Sequence, residues 1–418
     1  MTRFLYGLLW MVATPFVLAR LLWRARKQRG YLEKLGERFG FYAPAPPGPC
    51  IWIHAVSVGE TRAAVPLVEE LKARHPGHRI LVTHMTPTGR ATGIDVFGDR
   101  VERAWLPYDM KSAVRRFLAH YSPQAGVVLE TEIWPRLLEE AGRAGIPVVL
   151  ANGRLSERSA RRYERLPALT RWALDNLAGV AAQTQADAGR FARIGVRAPV
   201  VLGNVKFDLE VPDAMIERGE RFRERFGRGR TVWVAGSTRD GEEALLLDAF
   251  QAIAPADALL VIVPRHPQRF DDVARLSQAR GLAVSRRTDE SAVPAATRVV
   301  LGDSMGEMLA YYFAADVVIV GGSLLPFGGQ NLIEPCALGR PVIVGPHTYN
   351  FSEAAEGAIA SGAALRVADA EEALRAAAGL DASTRREMGS RGRAFVEAHR
   401  GAVRRLADWI DATARIAR

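Results

Sequence analysis

Residues 50–61 read CIWIHAVSVGET, and in them an apolar run, Ile51 to Ala55, passes through Ser57 and Gly59 toward a helical pattern from Ala63 to Arg74. Residues 231–243, TVWVAGSTRDGEE, repeat the same order of strand, small-residue turn and helix start. A strand that leads directly into a helix is the building unit of a parallel sheet, so both stretches predict α/β architecture. Outward from the first, candidate strands are Ile80 to Thr83, Gly126 to Leu129, Pro147 to Ala151, Val180 to Gln183 and Val200 to Leu202, with a helical pattern at Arg136 to Ala144. Outward from the second come Leu259 to Val263, Arg298 to Leu301, Asp316 to Val320, Pro341 to Val344 and Ala364 to Val367. Segment 203–230 is polar, charged and broken by Pro212, Gly227 and Gly229, which places the domain join there. The expected fold is two Rossmann-like halves facing an interdomain cleft, with ligands beyond the carboxyl ends of the strands.

The chain has 418 residues, enough for two or three domains of about 150 residues each. Its 38 Gly and 23 Pro are close to average usage and no tract repeats, which excludes collagen, solenoid and low-complexity classes. Cys50 and Cys336 stand far apart, so a disulfide framework or a cysteine zinc site is not expected. The formal net charge is +10, pointing to a negatively charged partner. Only five of the 56 basic residues are lysine: Lys27, Lys34, Lys72, Lys111 and Lys206.

Phe4 to Ala19 is an uncharged, mostly apolar run, continued past Arg20 by Leu21, Leu22 and Trp23 and followed by Arg24, Arg26, Lys27 and Arg29. No A-x-A cleavage site follows it. The expectation is an uncleaved anchor with its basic flank on the cytoplasmic side of a membrane. Pro15 and Arg20 leave open a buried helix or one that lies on the surface, with Arg20 snorkelling, rather than a span.

Polar clusters stand where strands end. In HAVSVGE, Ser57 and Glu60 fit a capping box, while Gly59 permits close backbone approach and Glu60 suits a general base. LETEIWP places Glu130 and Glu132 after a strand, where helix-start acids are an equal reading. GNVKFD offers the isolated Lys206, a compact ammonium for a phosphate or carboxylate. AGSTRDGEE is another strand-to-helix turn, and PRHP presents Arg265 and His266 between prolines. Met305, Gly306 and Glu307 close a further strand, as a turn or a ligand loop. GGSLLPFGGQNLIEP combines two glycine pairs with Asn331-Leu332-Ile333-Glu334, which reads either as a capping pair or as a carboxylate for ribose hydroxyls. The first strand carries no G-x-G-x-x-G, and the chain has no H-E-x-x-H, Walker loop or G-x-S-x-G. Nicotinamide dehydrogenases, zincins, P-loop enzymes and α/β-hydrolases are therefore disfavoured.

In this order the motifs HAVSVGE, LETEIWP, GNVKFD, AGSTRDGEE, VPRHPQR, SMGE and GGSLLPFGGQNLIEP resemble those of the 3-deoxy-D-manno-octulosonic acid (Kdo) transferases of lipopolysaccharide synthesis, two-domain GT-B glycosyltransferases. The likeness covers nearly the whole chain. It implies transfer of Kdo from CMP-Kdo to the tetraacyl lipid A precursor, with inversion, at the cytoplasmic face of the inner membrane. It implies a membrane anchor and basic flank over 1–29, an acceptor-binding domain over 30–208, and a nucleotide-sugar domain over 209–418, whose late helical and basic segment, Glu387 to Arg418, either packs back on the first domain or presents a solvated face. Glu60 matches the base, and Glu130 and Lys206 match residues supporting the transition state. Arg265, His266, Met305 to Glu307 and Asn331 to Glu334 match the CMP site. No metal, cofactor or nucleic acid is expected. The alternative is a membrane-associated GT-B transferase using a UDP-sugar.

Overall fold

The computed structural model describes residues 2–26 and 28–416; Lys27 of the basic flank and the last two residues lie outside the described residues. Its contacts divide the chain into two compact units, 1–208 with 400–418, and 209–399.

The first unit holds a parallel sheet of β1 (Cys50–His54), β2 (Arg79–His84), β3 (Glu102–Trp105), β4 (Ala125–Leu129), β5 (Val148–Gly153), β6 (Gly179–Ala182) and β7 (Val200–Val201). The order β3-β2-β1-β4-β5-β6-β7 is doubly wound and reverses direction between β1 and β4. Strands β1 and β4 are buried along their whole length, which explains their unbroken apolar reading. Strand β3 was not expected from the sequence. It is a four-residue edge strand carrying Glu102 and Arg103, and short charged edges lack the apolar signal that marks central strands.

The second unit repeats the plan with β8 (Val232–Thr238), β9 (Leu259–Pro264), β10 (Val284–Arg286), β11 (Val299–Leu301), β12 (Val317–Val320), β13 (Val342–Val344) and β14 (Ala364–Arg366). Its order is β10-β11-β9-β8-β12-β13-β14, reversing between β8 and β12. The unexpected strand is again a short polar edge, β10. The stretch read as a polar join contains helix Asp213–Phe226, which buries Phe222 and Phe226 within the second unit. Phe222 packs on Tyr311 of helix Met308–Ala314, with ring centroids 4.9 Å apart.

The late basic segment forms two helices, Ala382–His399 and Ala402–Ala414, separated at Gly401. The last belongs to the first unit: Val403, Leu406, Ala407 and Ile410 join the core of β1, β4 and helix Val58–Arg74. Asp208, the final residue of GNVKFD, fastens it by accepting the Gly401 and Val403 N–H groups, both at 2.5 Å.

Candidate active site

Because each sheet is parallel, all its strand ends lie along one edge, and a topological switch point opens a crevice there. In the first unit that point lies between β1 and β4; the helix start that follows β1 carries Glu60, and the loop after β4 carries Glu130.

Glu60 sits in the first turn of helix Val58–Arg74. Its Oε2 accepts the Val56 N–H at 2.8 Å and its Oε1 accepts the Ser57 hydroxyl at 2.9 Å, while Ser57 Oγ accepts the Glu60 N–H at 3.4 Å. The capping box is therefore formed. Burial, and next the negative charge of Glu130, push the Glu60 carboxyl up to about 7, outweighing the two cap bonds that favour its ionised form. A carboxyl titrating there is matched to general-base work near neutrality. The cap bonds thus hold in place a carboxyl whose chemistry suits that work.

Glu130 follows β4 with φ 59°, left-handed backbone that costs a non-glycine residue about 1–2 kcal/mol. Its Oε1 lies 2.9 Å from Lys206 Nζ, and both side chains are about one-fifth exposed. Lys206 occupies a short turn, Val205–Phe207, held by a chain of amides from neighbouring strand ends. Asn204 Oδ1 accepts the Lys206 N–H at 3.0 Å, and Asn204 Nδ2 donates to Gln183 Oε1 at 3.1 Å. Gln183 Nε2 donates to the Asn152 carbonyl at 3.0 Å, and Asn152 Oδ1 accepts the Val205 N–H at 3.2 Å. Asn152 and Gln183 were not singled out from the sequence, where two amides at strand ends carry no spacing signal. Glu132, next but one to Glu130, is pushed up, chiefly by burial.

In the second unit the switch point lies between β8 and β12. The carboxyl ends of β8 and β9 bring together Arg239, Arg265, His266 and Arg269. Arg239 Nη1 is 3.2 Å from His266 Nε2, and its guanidinium lies over Phe327 at 4.8 Å from the ring centroid. Burial, and then Arg239, Arg265 and Arg269, hold the imidazole below its ordinary value. Arg269 pairs with Asp240 and, at 3.0 Å, with Glu243.

Glu242, fully buried at the start of helix Glu242–Ile253, gathers the two switch-point loops. Oε2 accepts the N–H groups of Arg239 at 2.8 Å and Gly322 at 2.6 Å; Oε1 accepts those of Leu324 at 3.0 Å and Leu325 at 3.3 Å. Four donors on one carboxylate fix the glycine loop after β12 to the loop after β8. The motif AGSTRDGEE displayed Glu242, but nothing in its spacing distinguished this role from a helix-start acid.

The remaining expected residues divide. Glu307 is buried, with Oε1 2.7 Å from Arg218 Nη1 and Oε2 2.7 Å from Arg287 Nε. Its carboxylate is thus engaged within the protein and fixes the loop that carries Met305, which is 53% exposed, and Gly306, at φ 82°. Asn331 Nδ2 donates to Glu334 Oε1 at 3.0 Å, and Asn331 Oδ1 caps the Ile333 N–H at 3.0 Å. Leu332 and Ile333 bury their side chains in the core, which leaves backbone as what they can offer a ligand. Burial, and next the charge of Glu334, push the Tyr312 hydroxyl up, against the opposing charge of Arg265.

Residues 33–209 match the family described as 3-deoxy-D-manno-octulosonic-acid transferase (kdotransferase). The 3-deoxy-D-manno-octulosonic acid transferase of Bordetella pertussis is 45% identical over 419 residues, covering 94% of this chain and 97% of the relative. The chain belongs to the Kdo transferase family. The enzyme of the same name from Haemophilus influenzae is 37% identical, covering 98% of both chains. The crystal structure of a glycosyltransferase from Rickettsia africae shares the fold at a TM-score of 0.60, with 13% identity, covering 89% of this chain and 100% of that one. The resemblance read from the motifs is confirmed, and the fold class is GT-B. This Kdo transferase is a glycosyltransferase of lipopolysaccharide biosynthesis.

Proposed function

We propose that the enzyme transfers Kdo from CMP-Kdo to the tetraacyl lipid A precursor, with inversion, at the cytoplasmic face of the inner membrane. In this reading the first unit binds the acceptor, the second binds the nucleotide sugar, and residues 1–29 attach the chain to the membrane. The observation that carries it is Glu60, a half-buried carboxyl at the first unit's switch point, held by the Val56 N–H and the Ser57 hydroxyl and pushed up to about 7.

The Glu60 carboxylate takes the proton of the acceptor hydroxyl. The oxygen forms a bond to the anomeric carbon on the face opposite the phosphate, and the bond from that carbon to the phosphate oxygen breaks. CMP leaves with the electron pair. Positive charge develops on the sugar as the bond breaks, and the Glu130–Lys206 pair supplies an ordered dipole for that charge and for the Kdo carboxylate. Arg265 and the cationic group around His266 receive the phosphate. Met305 and Gly306 approach the nucleotide through backbone and an exposed side chain, with Glu307 holding their loop. The Asn331–Glu334 pair meets the ribose hydroxyls, and Leu332 and Ile333 contribute backbone. Among the described residues no group of three or more His, Cys, Asp and Glu is placed to hold a metal ion. The reading assigns the positive field to Lys206 and the arginines.

The test is product mass after incubation with CMP-Kdo and the tetraacyl precursor, with CMP and UDP as competitors. Kdo-sized additions suppressed by CMP and unaffected by UDP are expected. No addition by folded enzyme, or suppression by UDP alone, overturns the assignment in favour of another nucleotide sugar.

A further inference from the structure

Helix Thr2–Ala25 has one stretch, Arg3–Ala25, long and apolar enough to cross a membrane by length and composition, with mean hydropathy 1.7. Its contacts argue for a different placement. One side is fastened to the first unit over its first turns. Tyr6 donates to Asp109 Oδ2 at 2.6 Å, and Arg3 Nε lies 3.2 Å from Glu139 Oε1. The Arg3 carbonyl accepts from Arg136 Nη2 at 3.0 Å. Tyr6 meets Trp172 edge-on at 5.4 Å, Trp10 packs on Tyr108 at 5.8 Å, and Leu21 and Ala25 are buried at the far end. From Arg3 to Trp10 these contacts run about 10 Å along the helix at ~1.5 Å per residue.

The groups that receive this face are polar and buried. Asp109 is 2% exposed and also accepts the N–H groups of Arg136 and Leu137, closing the start of helix Pro135–Arg143. A helix standing across a bilayer with these contacts intact would carry Asp109, Arg136 and Glu139 into hydrocarbon, where ionisable groups are costly. A helix pulled away to span would strip Asp109 and Glu139 of bonds to Tyr6 and Arg3.

The opposite side is an exposed apolar stripe at helical spacing, including Leu5, Leu9, Val12, Phe16 and Trp23. Arg20, Arg24 and Arg26, also exposed, follow at its carboxyl-terminal end, with Arg29 just beyond. An apolar face with arginines beside it matches the acyl boundary and anionic headgroups of a phospholipid surface.

We infer that helix Thr2–Ala25 lies in the plane of an anionic membrane surface, its outer stripe immersed and its inner face clamped to the body, and does not span the bilayer. The inference rests on the membrane reading above and specifies the geometry of that contact.

Two measurements on the full chain test it. Reporters of compartment, alkaline phosphatase and a green fluorescent protein, are fused in turn to the N- and C-termini. Both ends on the same side of the membrane is the expected result; opposite sides overturns the inference while leaving membrane attachment intact. Spin labels are then placed by Leu5→Cys, Leu9→Cys, Phe16→Cys and Trp23→Cys, the native cysteines being buried. In vesicles of phosphatidylethanolamine and phosphatidylglycerol all four labels should share one shallow depth, about 5–10 Å below the headgroups. A depth that peaks at the middle of the helix overturns the in-plane placement. Labels that stay in water, with no vesicle binding, overturn the membrane reading itself. Joint replacement of Arg20, Arg24, Arg26 and Arg29 by Gln should weaken vesicle binding about a hundredfold or more, and unchanged binding overturns the anionic-surface assignment.

Discussion

Glu60 closes a helix cap, and its proposed second duty as base is separable from the first by measurement. Its folded value, about 7, lies above its ordinary 4.5, so between these pH values the folded state holds more protons than the unfolded chain. Stability therefore falls as pH rises from about 4.5 through 7 on account of this group, and Glu60→Gln should flatten that slope in thermal melts. The neighbours act in opposite directions. Glu130→Gln removes the negative charge that raises Glu60, and should move the acid limb of the pH–rate profile down by about one unit. Lys206→Ala leaves the Glu130 charge uncompensated and should move it up. Limbs that stay in place would show that the two carboxylates are not electrostatically coupled. At this scale the sequence named Glu60, Glu130 and Lys206, because polar residues after apolar strands stand out. It did not pair Glu130 with Lys206, since residues 76 positions apart meet only through the sheet order. Asn152 and Gln183 were invisible for the same reason.

At the scale of elements, the loops after β8 and β12 have a shared buried anchor in Glu242. Glu242→Gln replaces one carboxylate oxygen by a donor facing N–H groups that already donate, so at least one bond becomes a repulsion. A loss of stability of about 2–4 kcal/mol is expected, with weaker CMP binding measured by calorimetry. Unchanged CMP affinity in a folded variant would show that the loop after β12 does not serve the nucleotide. The terminal helix has its own anchor in Asp208, and Asp208→Ala should cost roughly 1 kcal/mol in chemical denaturation by removing that cap. The central strands were legible because burial on both faces writes a continuous apolar run. The edges β3 and β10 were not, because they are short and their polar residues are only half-buried. The helix Asp213–Phe226 hid in a polar stretch because only a narrow stripe of it is buried.

For the whole molecule, the chain returns at its end to the unit where it began, so residues 400–418 complete the first core. Truncation after residue 399 should expose Val403's and Ile410's packing partners, lowering the melting temperature of the full chain and its soluble yield. Normal melting would contradict a structural role for that helix. The reading of two doubly wound sheets followed from strand–turn–helix order alone, and the chemistry followed from the order of seven motifs. The central claim is that Glu60 is the base that deprotonates the acceptor. Its most direct test is the pH dependence of Kdo transfer by wild type, Glu60→Gln and Glu60→Ala, with CMP binding measured in parallel. The account predicts an acid limb near pH 7 in wild type, a loss of about 10²–10⁴-fold in both variants, and unchanged CMP affinity. Variants that retain full activity would leave Glu60 as a helix cap and contradict the claim.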